Sequence, residues 1–378
     1  MTAFGQSREV WIAIRAPILS FTAREFPLSD ERPIEVTSPA TSVAAQYTPP
    51  AAIPAGSADV EADSMPKAWA SRLLDPALVP ESLYDARRKR LLLPAALRKA
   101  YLEVLRRRGL TDLAKSRRSD SSPVGGISLE ETNEHFAKAF DGSVARSQLA
   151  ILDPGRDVTA AANAFIETLS GNKVCIVDAP CGAGAASLSF LSTIAQLRAE
   201  GVLPRLPLDI CLVGGEISSP ARAITMELLE TLTPALEEQA IFVTPVLMHW
   251  DVLNPLSNTD LIRKMTENSM RPTRRLLVVA NFSGFLGAPS QRMKKAMPQI
   301  DELFRHISGR GALAVWIEPK MNVVTGAGGV FDLLLRGFRW LLKKPESETI
   351  TSESDFVPAF GDVAKVRLAV LRFDLERA

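Results

Sequence analysis

A chain of 378 residues, 46% hydrophobic and 23% charged, has material for one large core plus an accessory region, and it reads as soluble and globular. No segment reaches the roughly 18 uninterrupted apolar residues of a membrane span. The start "MTAFGQSREVWIAIRAPILSF" carries Arg8, Glu9 and Arg15 through its apolar part, a poor secretory signal, so a cytoplasmic protein with no membrane partner is the expectation. Cys175, Cys181 and Cys211 show no C-x-x-C spacing, and His135, His249 and His306 are scattered over different elements. That argues against a structural zinc site and against a disulfide framework.

Residues 1–66 are rich in Pro, Ala, Ser and Thr without a sustained period, which predicts a disordered or loosely packed segment in which "VWIAI" at 10–14 is a lone strand or a docking patch. Residues 67–170 carry a helical pattern. The run "SLYDARRKRLLLPAALRKAYLEVLRRRG" places Leu83, Leu91 to Leu93, Leu97, Tyr101, Leu102 and Leu105 near a helical repeat, with Pro94 breaking it and Gly109 ending it. Ser128 followed by Glu131 predicts a capping box opening a second helix, and "VTAAANAFIETLSGN" predicts a third.

After Gly171 the texture alternates. Strands are predicted at 173–179, 209–217, 241–251, 275–283 and 312–319, with helices at 184–200, 219–232, 259–268, 290–308 and 328–342. Near-continuous apolar strands separated by helices mean a parallel sheet covered on both faces. The ending differs, because "ETITSESDFV" and "AKVRLAVLRFDL" are both strand-like with no helix-length segment between them. The expected fold is therefore α/β, a doubly wound, mostly parallel seven-stranded sheet over 171–378 that ends in an antiparallel hairpin and follows a helical region.

In such sheets ligands sit beyond the carboxyl ends of the strands, so the residues standing there decide the chemistry. The first strand ends at Asp178 and runs into "APCGAGAAS", where Gly182 and Gly184 let the backbone turn and approach a ligand closely. The second ends at Glu216, a carboxylate suited to a ribose diol, with Ile217 after it. The third ends at "HWD", where Asp251 can accept from an exocyclic amine and Trp250 can flank a flat ring. The fourth ends at "NFSGF", with Asn281 offering both a donor and an acceptor. Each residue also has a plain alternative: Gly214 and Gly215 permit tight packing, Glu216 caps a helix and Asp251 starts a turn, while Cys175 and Cys211 read as small buried hydrophobes and Cys181, in the glycine loop, as a reactive thiol or an inert one.

Over roughly 172–375 this set resembles the class I, Rossmann-like methyltransferases that use S-adenosylmethionine. The resemblance implies that Asp178, Ala179, Pro180, Gly182 and Gly184 hold the methionine part and ribose, that Glu216 with Ile217 binds the ribose hydroxyls, and that Asp251 beside Trp250 meets the adenine amine. The terminal hairpin is also a mark of the family. Pro180 stands where the commonest form of the loop has glycine, and it reads as a shape variant. The competing fold is an NAD(P)-dependent oxidoreductase, since "GAGAAS" nearly reads G-x-G-x-x-G. Asp178 and Pro180 intervene before the glycines, however, and Glu216 lies farther on than that motif's acid.

For the transfer itself, proximity and orientation supply much of the acceleration. Asn281, with Phe282 and Phe285, resembles the amino-methylating branch but lacks its two prolines, so a base amine is one option for the acceptor. Glu318 and Lys320 in "WIEPK" project toward the same crevice, Glu318 as a base, as an orienting group or as an ordinary surface carboxylate. The stretch "GSVARSQLAILDP" is expected to fold over the cofactor with Arg146 near its carboxylate.

Charge is uneven. From Lys67 to Arg118 there are fourteen Lys or Arg against five Asp or Glu, interrupted by Tyr84 and Tyr101. Across 87–118 such a patch would hold phosphates of RNA, ribosomal RNA first, or form a solvated helix face. A non-catalytic nucleic-acid-binding protein with the same fold stays open as the second class of function.

Overall fold

The computed structural model describes residues 72–116, 126–270, 274–287, 291–321, 325, 329–337 and 350–375, all within the unit Met65–Ala378. The expectation for residues 1–66 lies outside the described residues, as does the end of the helix expected at 328–342.

Two short strands come first, β1 (Tyr84–Asp85) and β2 (Arg90–Leu92), in a stretch whose leucines suggested a helix. Pro94 explains the difference. A proline disfavours helical geometry in the residue before it, and Asp85 Oδ1 accepts from Arg88 N at 2.9 Å to close the turn that returns the chain. The helices α1 (Ala95–Arg107), α2 (Thr111–Lys115), α3 (Leu129–Leu152) and α4 (Thr159–Leu169) follow. The capping box is present, with Ser128 Oγ accepting from Glu131 N at 3.2 Å and Glu131 Oε2 accepting from Ser128 N at 3.2 Å. The same helix runs on through the stretch expected to fold over a cofactor. It stops at Asp153, left-handed at φ 42, whose carboxylate receives Asp157 N and Val158 N and pairs with Arg72.

The alternating part comprises β3 (Asn172–Asp178), α5 (Ala185–Ala199), β4 (Leu208–Gly215), α6 (Ser219–Glu238), β5 (Ile241–Met248), α7 (Pro255–Asn268), β6 (Arg274–Ala280), α8 (Ser283–Leu286), α9 (Gln291–Ile307), β7 (Ala312–Glu318) and α10 (Val330–Gly337). The strands β8 (Ile350–Val357) and β9 (Ala364–Asp374) close the chain. They form one sheet in the order β1-β2-β8-β9-β7-β6-β3-β4-β5. The strands β3 to β7 pair parallel, whereas β9 is antiparallel to both β7 and β8.

The sheet among the described residues has nine strands, not seven. The hairpin of β8 and β9 exists, but it is not the sheet's edge, because β2 adds parallel to β8 in the register Arg90↔Asp355 and Leu91↔Phe356. The true far edge is β5, where Pro245 is tolerated because an edge strand has an unpaired side.

Both faces of the sheet are buried, as the apolar runs require. Val174 and Ile176 of β3 join one core with α1, α3, α5 and α6, while Cys175 and Val177 join the other with α7, α9 and α10. Tyr101, taken from sequence as an aromatic among the cations, lies in the first core at 2% exposure, with its hydroxyl donating to Ala137 O at 2.9 Å. Among the described residues no helix is long and apolar enough to cross a membrane.

Candidate active site

The central strand β3 is flanked by β4 on one side and β6 on the other, so the chain reverses its direction of travel across the sheet at this strand. A crevice opens at such a point beyond the carboxyl ends. A cavity of about 570 Å³ lies there, and Asp178, Glu216, Asp251, Asn281 and Glu318, following or ending β3, β4, β5, β6 and β7, all line it. Pro180, Gly182, Ile217 and Trp250 line it as well. Ala179 and Gly184 do not, and form the support behind the loop.

The loop after β3 is held from both neighbouring strands. Ala179 N donates to Val278 O at 3.1 Å, Cys181 N to Gly215 O at 3.0 Å, and the Ala179–Pro180 peptide is cis. Gly182 adopts φ +52, with open space where a Cβ would stand. Gly184 adopts φ +77, and a Cβ there would lie 2.8 Å from Thr225 Cγ2. The two glycines thus serve different ends, conformation and free space at the cavity against close packing on α6. Gly214 and Gly215 follow the packing explanation, since a Cβ on them would meet Leu247 at 2.4 Å and Trp250 at 3.0 Å.

Asp178 is 1% exposed. Ser187 Oγ, from the first turn of α5, donates to its Oδ2 at 2.5 Å, while Oδ1 is buried with no hydrogen-bond partner among the described residues. Burial, reinforced by the negative charge of Glu216, pushes its carboxyl up to about 7. Glu216 accepts from Gly182 N at 3.0 Å and from Ser218 N at 2.8 Å, so one carboxylate ties the glycine loop to the start of α6. Burial raises its pKa too, against those two hydrogen bonds. Cys181 sits between these acids and is pushed well above a normal thiol by burial, so it is an inert hydrophobe.

Asp251 does begin a turn, with Oδ1 accepting from Leu253 N at 2.9 Å, and it remains half-buried at the cavity wall. Trp250 lines the cavity with most of its ring covered by protein. It is 3% exposed, donates from Nε1 to Asn258 Oδ1 at 3.2 Å and packs on Phe282 at 6.1 Å between centroids. Phe282 in turn stacks on Phe285 at 5.4 Å, and the Arg292 guanidinium lies 5.1 Å from the Phe285 centroid.

Glu318 is fully buried. Its carboxylate accepts from Trp316 Nε1 at 2.7 Å, Phe282 N at 2.8 Å, Ser283 N at 2.9 Å and Ser283 Oγ at 2.8 Å. Four donors saturate the carboxylate, which makes it the anchor of the loop carrying Asn281. Asn281 itself has φ +55 and is exposed to the cavity, and its Oδ1 accepts from Arg146 Nη1 at 2.5 Å.

The helix α3 is the wall that sequence reasoning underestimated. It is pinned at one end by Thr132 Oγ1 to Ser218 Oγ at 2.9 Å and at the other by Arg146 to Asn281, some 21 Å apart along its axis. His135, Ala139, Gly142 and Arg146, at i, i+4, i+7 and i+11, all face the cavity. Burial holds the His135 imidazole below its usual pKa. Lys138 also lines the cavity and pairs with Glu134 at 2.9 Å. The signal was available as a helical stripe beginning at the capping box; what it faces was not. Among the described residues no group of three or more His, Cys, Asp or Glu is placed to hold a metal.

No family model and no curated protein matches this chain. Among solved structures it is similar to the rRNA methyltransferase aviRa from Streptomyces viridochromogenes, at 9% identity over 57% of this chain and 84% of that one, with a TM-score of 0.30. It is also similar to a modification subunit of a putative type I restriction enzyme from Vibrio vulnificus YJ016, at 13% identity over 74% of each chain, with a TM-score of 0.31. Scores this low carry no weight for function.

Proposed function

We propose that this protein is an S-adenosylmethionine-dependent methyltransferase that acts on RNA. One observation carries the cofactor assignment. Three carboxylates that end or follow the adjacent parallel strands β3, β4 and β5 line a single cavity, and one of their oxygens, Asp178 Oδ1, is buried without a donor among the described residues. The residues fit the cofactor. Asp178 would accept from the ammonium of its methionine part, Glu216 has lone pairs left for a ribose diol, and Asp251 would take the adenine amine. Gly182 leaves the space that a close-lying ligand needs. When bound, the cofactor supplies a methyl group on a sulfonium. The chain's own contribution is to hold both reactants in line and to exclude water beneath α3.

A cation also suits this wall electrically. Burial raises both Asp178 and Glu216, and the charge of Glu216 raises Asp178 further, so a positively charged ligand relieves that strain. A dinucleotide, with its pyrophosphate, would add negative charge to the same wall.

The RNA assignment rests on the basic stretch 87–118. Several of its cations are already engaged, since Arg108 forms a two-bond pair with Glu227, and Arg106 and Arg107 pair with Glu103. Arg87, Lys89 and Arg98 are exposed and make no ion pair among the described residues, while Arg117 and Arg118 lie outside them. Arg98 and Lys99 border a shallow depression with Thr231 of α6, about 15 Å along that helix from Ala221 at the cavity. An RNA strand reaching the cavity would span that distance, with its phosphates on this face.

Calorimetry tests the cofactor assignment. S-adenosylmethionine and its demethylated product should bind, NAD should not, and Glu216→Ala and Asp251→Ala should each abolish binding. Absence of binding at high cofactor concentration, or binding indifferent to both substitutions, refutes it and leaves a non-catalytic protein.

A further inference from the structure

The bond between Arg146 and Asn281 fixes more than the position of α3. A guanidinium carries only donors, so the partner of Arg146 Nη1 can only be the amide oxygen of Asn281. With Oδ1 committed to α3, Nδ2 turns the other way, and it has no hydrogen-bond partner among the described residues. Asn281 lines the cavity, so its amide presents N–H groups there.

The backbone at Asn281 is held as well. Its backbone N donates to Ile317 O at 2.9 Å, and the two amides after it end on Glu318. Arg146 is steadied in turn by a bond from its Nε to Arg367 O of β9 at 3.2 Å. Elements from three parts of the chain, α3, β7 and β9, therefore agree on a single amide orientation. An asparagine at φ +55 carries a conformational cost, and such costs persist where the surroundings over-determine them.

Resting on the methyl-transfer reading above, we infer that Asn281 donates a hydrogen bond to the acceptor and that Arg146 is the positioning residue that makes it a donor. The acceptor then presents a carbonyl oxygen beside the ring nitrogen that is methylated, and that nitrogen gives its proton to water as the methyl group leaves the sulfonium, which becomes a neutral thioether. In RNA this describes the lactam edge of uracil or guanine. An exocyclic amine, the acceptor suggested by the resemblance of "NFSGF" to the amino-methylating branch, would need the oxygen of Asn281, which Arg146 holds.

The test uses the full chain labelled with ¹⁵N-asparagine, in which the side-chain amide resonances of Asn281 are identified by their loss in Asn281→Asp. Arg146→Lys retains a donor and should leave them in place. Arg146→Glu offers only acceptors, draws the NH₂ group to itself and should move them. Resonances indifferent to Arg146→Glu overturn the inference. In parallel, total RNA is incubated with S-adenosylmethionine carrying a deuterated methyl group, digested to nucleosides and analysed by mass spectrometry. Label on the base of uridine, or on the base of guanosine away from its amine, is the expected result. Transfer should fall roughly tenfold in Arg146→Glu and recover in Arg146→Lys, the worth of one hydrogen bond. Label on an exocyclic amine of adenosine, cytidine or guanosine overturns the inference while leaving methyl transfer intact. A wild-type protein that binds no cofactor would instead remove the reading beneath it.

Discussion

Replacing Asp178 by asparagine should make the protein more stable and its cofactor site weaker, and the opposition of the two effects is the informative part. Asp178 is 1% exposed, and its carboxyl is pushed from 3.8 to about 7, chiefly by burial and then by Glu216. Because the folded pKa lies above the unfolded one, the folded state keeps a proton that the unfolded chain releases. Below pH 3.8 both states are protonated and there is no penalty. Stability then falls as the pH rises, and above about 7 the folded protein bears the full cost of a buried charge. Three units at about 1.36 kcal/mol each set an upper bound of ~4 kcal/mol. Half of that would still move Tm by about 3 °C in a unit of this size.

Asp178→Asn is neutral throughout, so its advantage over the wild type should be small at pH 4 and largest at pH 8. Thermal unfolding followed by circular dichroism at several pH values measures it. Calorimetry at pH 8 should show S-adenosylmethionine bound at least about tenfold more weakly by the variant, which lacks the charged acceptor. Stability bought at the expense of binding is what a site strained for function produces. A variant less stable than the wild type at pH 8, or a stability difference that does not change with pH, would refute the reasoning.

The glycine loop offers a comparison within one turn. Gly184→Ala combines φ +77 with a contact of 2.8 Å to Thr225 and should cost more in urea unfolding than Gly182→Ala, which meets open space and pays only the left-handed penalty of about 1–2 kcal/mol. Glu318→Ala strands the buried donors Trp316 Nε1, Phe282 N and Ser283 N and should destabilise by roughly 3–5 kcal/mol, with tryptophan fluorescence reporting the loosened loop. On the basic face, Arg108→Ala should act on stability through its lost pair with Glu227, whereas Arg87→Ala and Arg98→Ala should each lower the salt slope of RNA binding by about 1 without shifting Tm. Equal salt slopes in all three variants would count against the RNA face.

Most of the alternating architecture was legible, because each element satisfies its backbone and buries its apolar side by local rules. The strand ends at Asp178, Glu216 and Asn281 were legible for the same reason, since an apolar run must stop where a polar residue appears. Leu91 to Leu93 misled because leucines before a proline fit a helical repeat as well as a strand, and the free edge of β8 decided between them. Trp250 could face a ligand or the core from sequence, and in the structure it lines the cavity while Phe282 and Asn258 hold its ring among buried side chains.

By itself the sequence determined the capping box at Ser128, the alternation of β3 residues between two cores, and the glycine loop with its acid, all features whose partners lie within a few residues or follow from periodicity. The tertiary structure alone decided what the polar groups are worth. Asp178 is left with an orphan oxygen, Glu318 is saturated by four donors, and Asn281 is turned by an arginine 135 residues earlier in the chain. The state of a carboxylate or an amide is set by how many donors reach it and how much water is excluded, and those neighbours come from segments brought together only when the sheet and α3 close on one another.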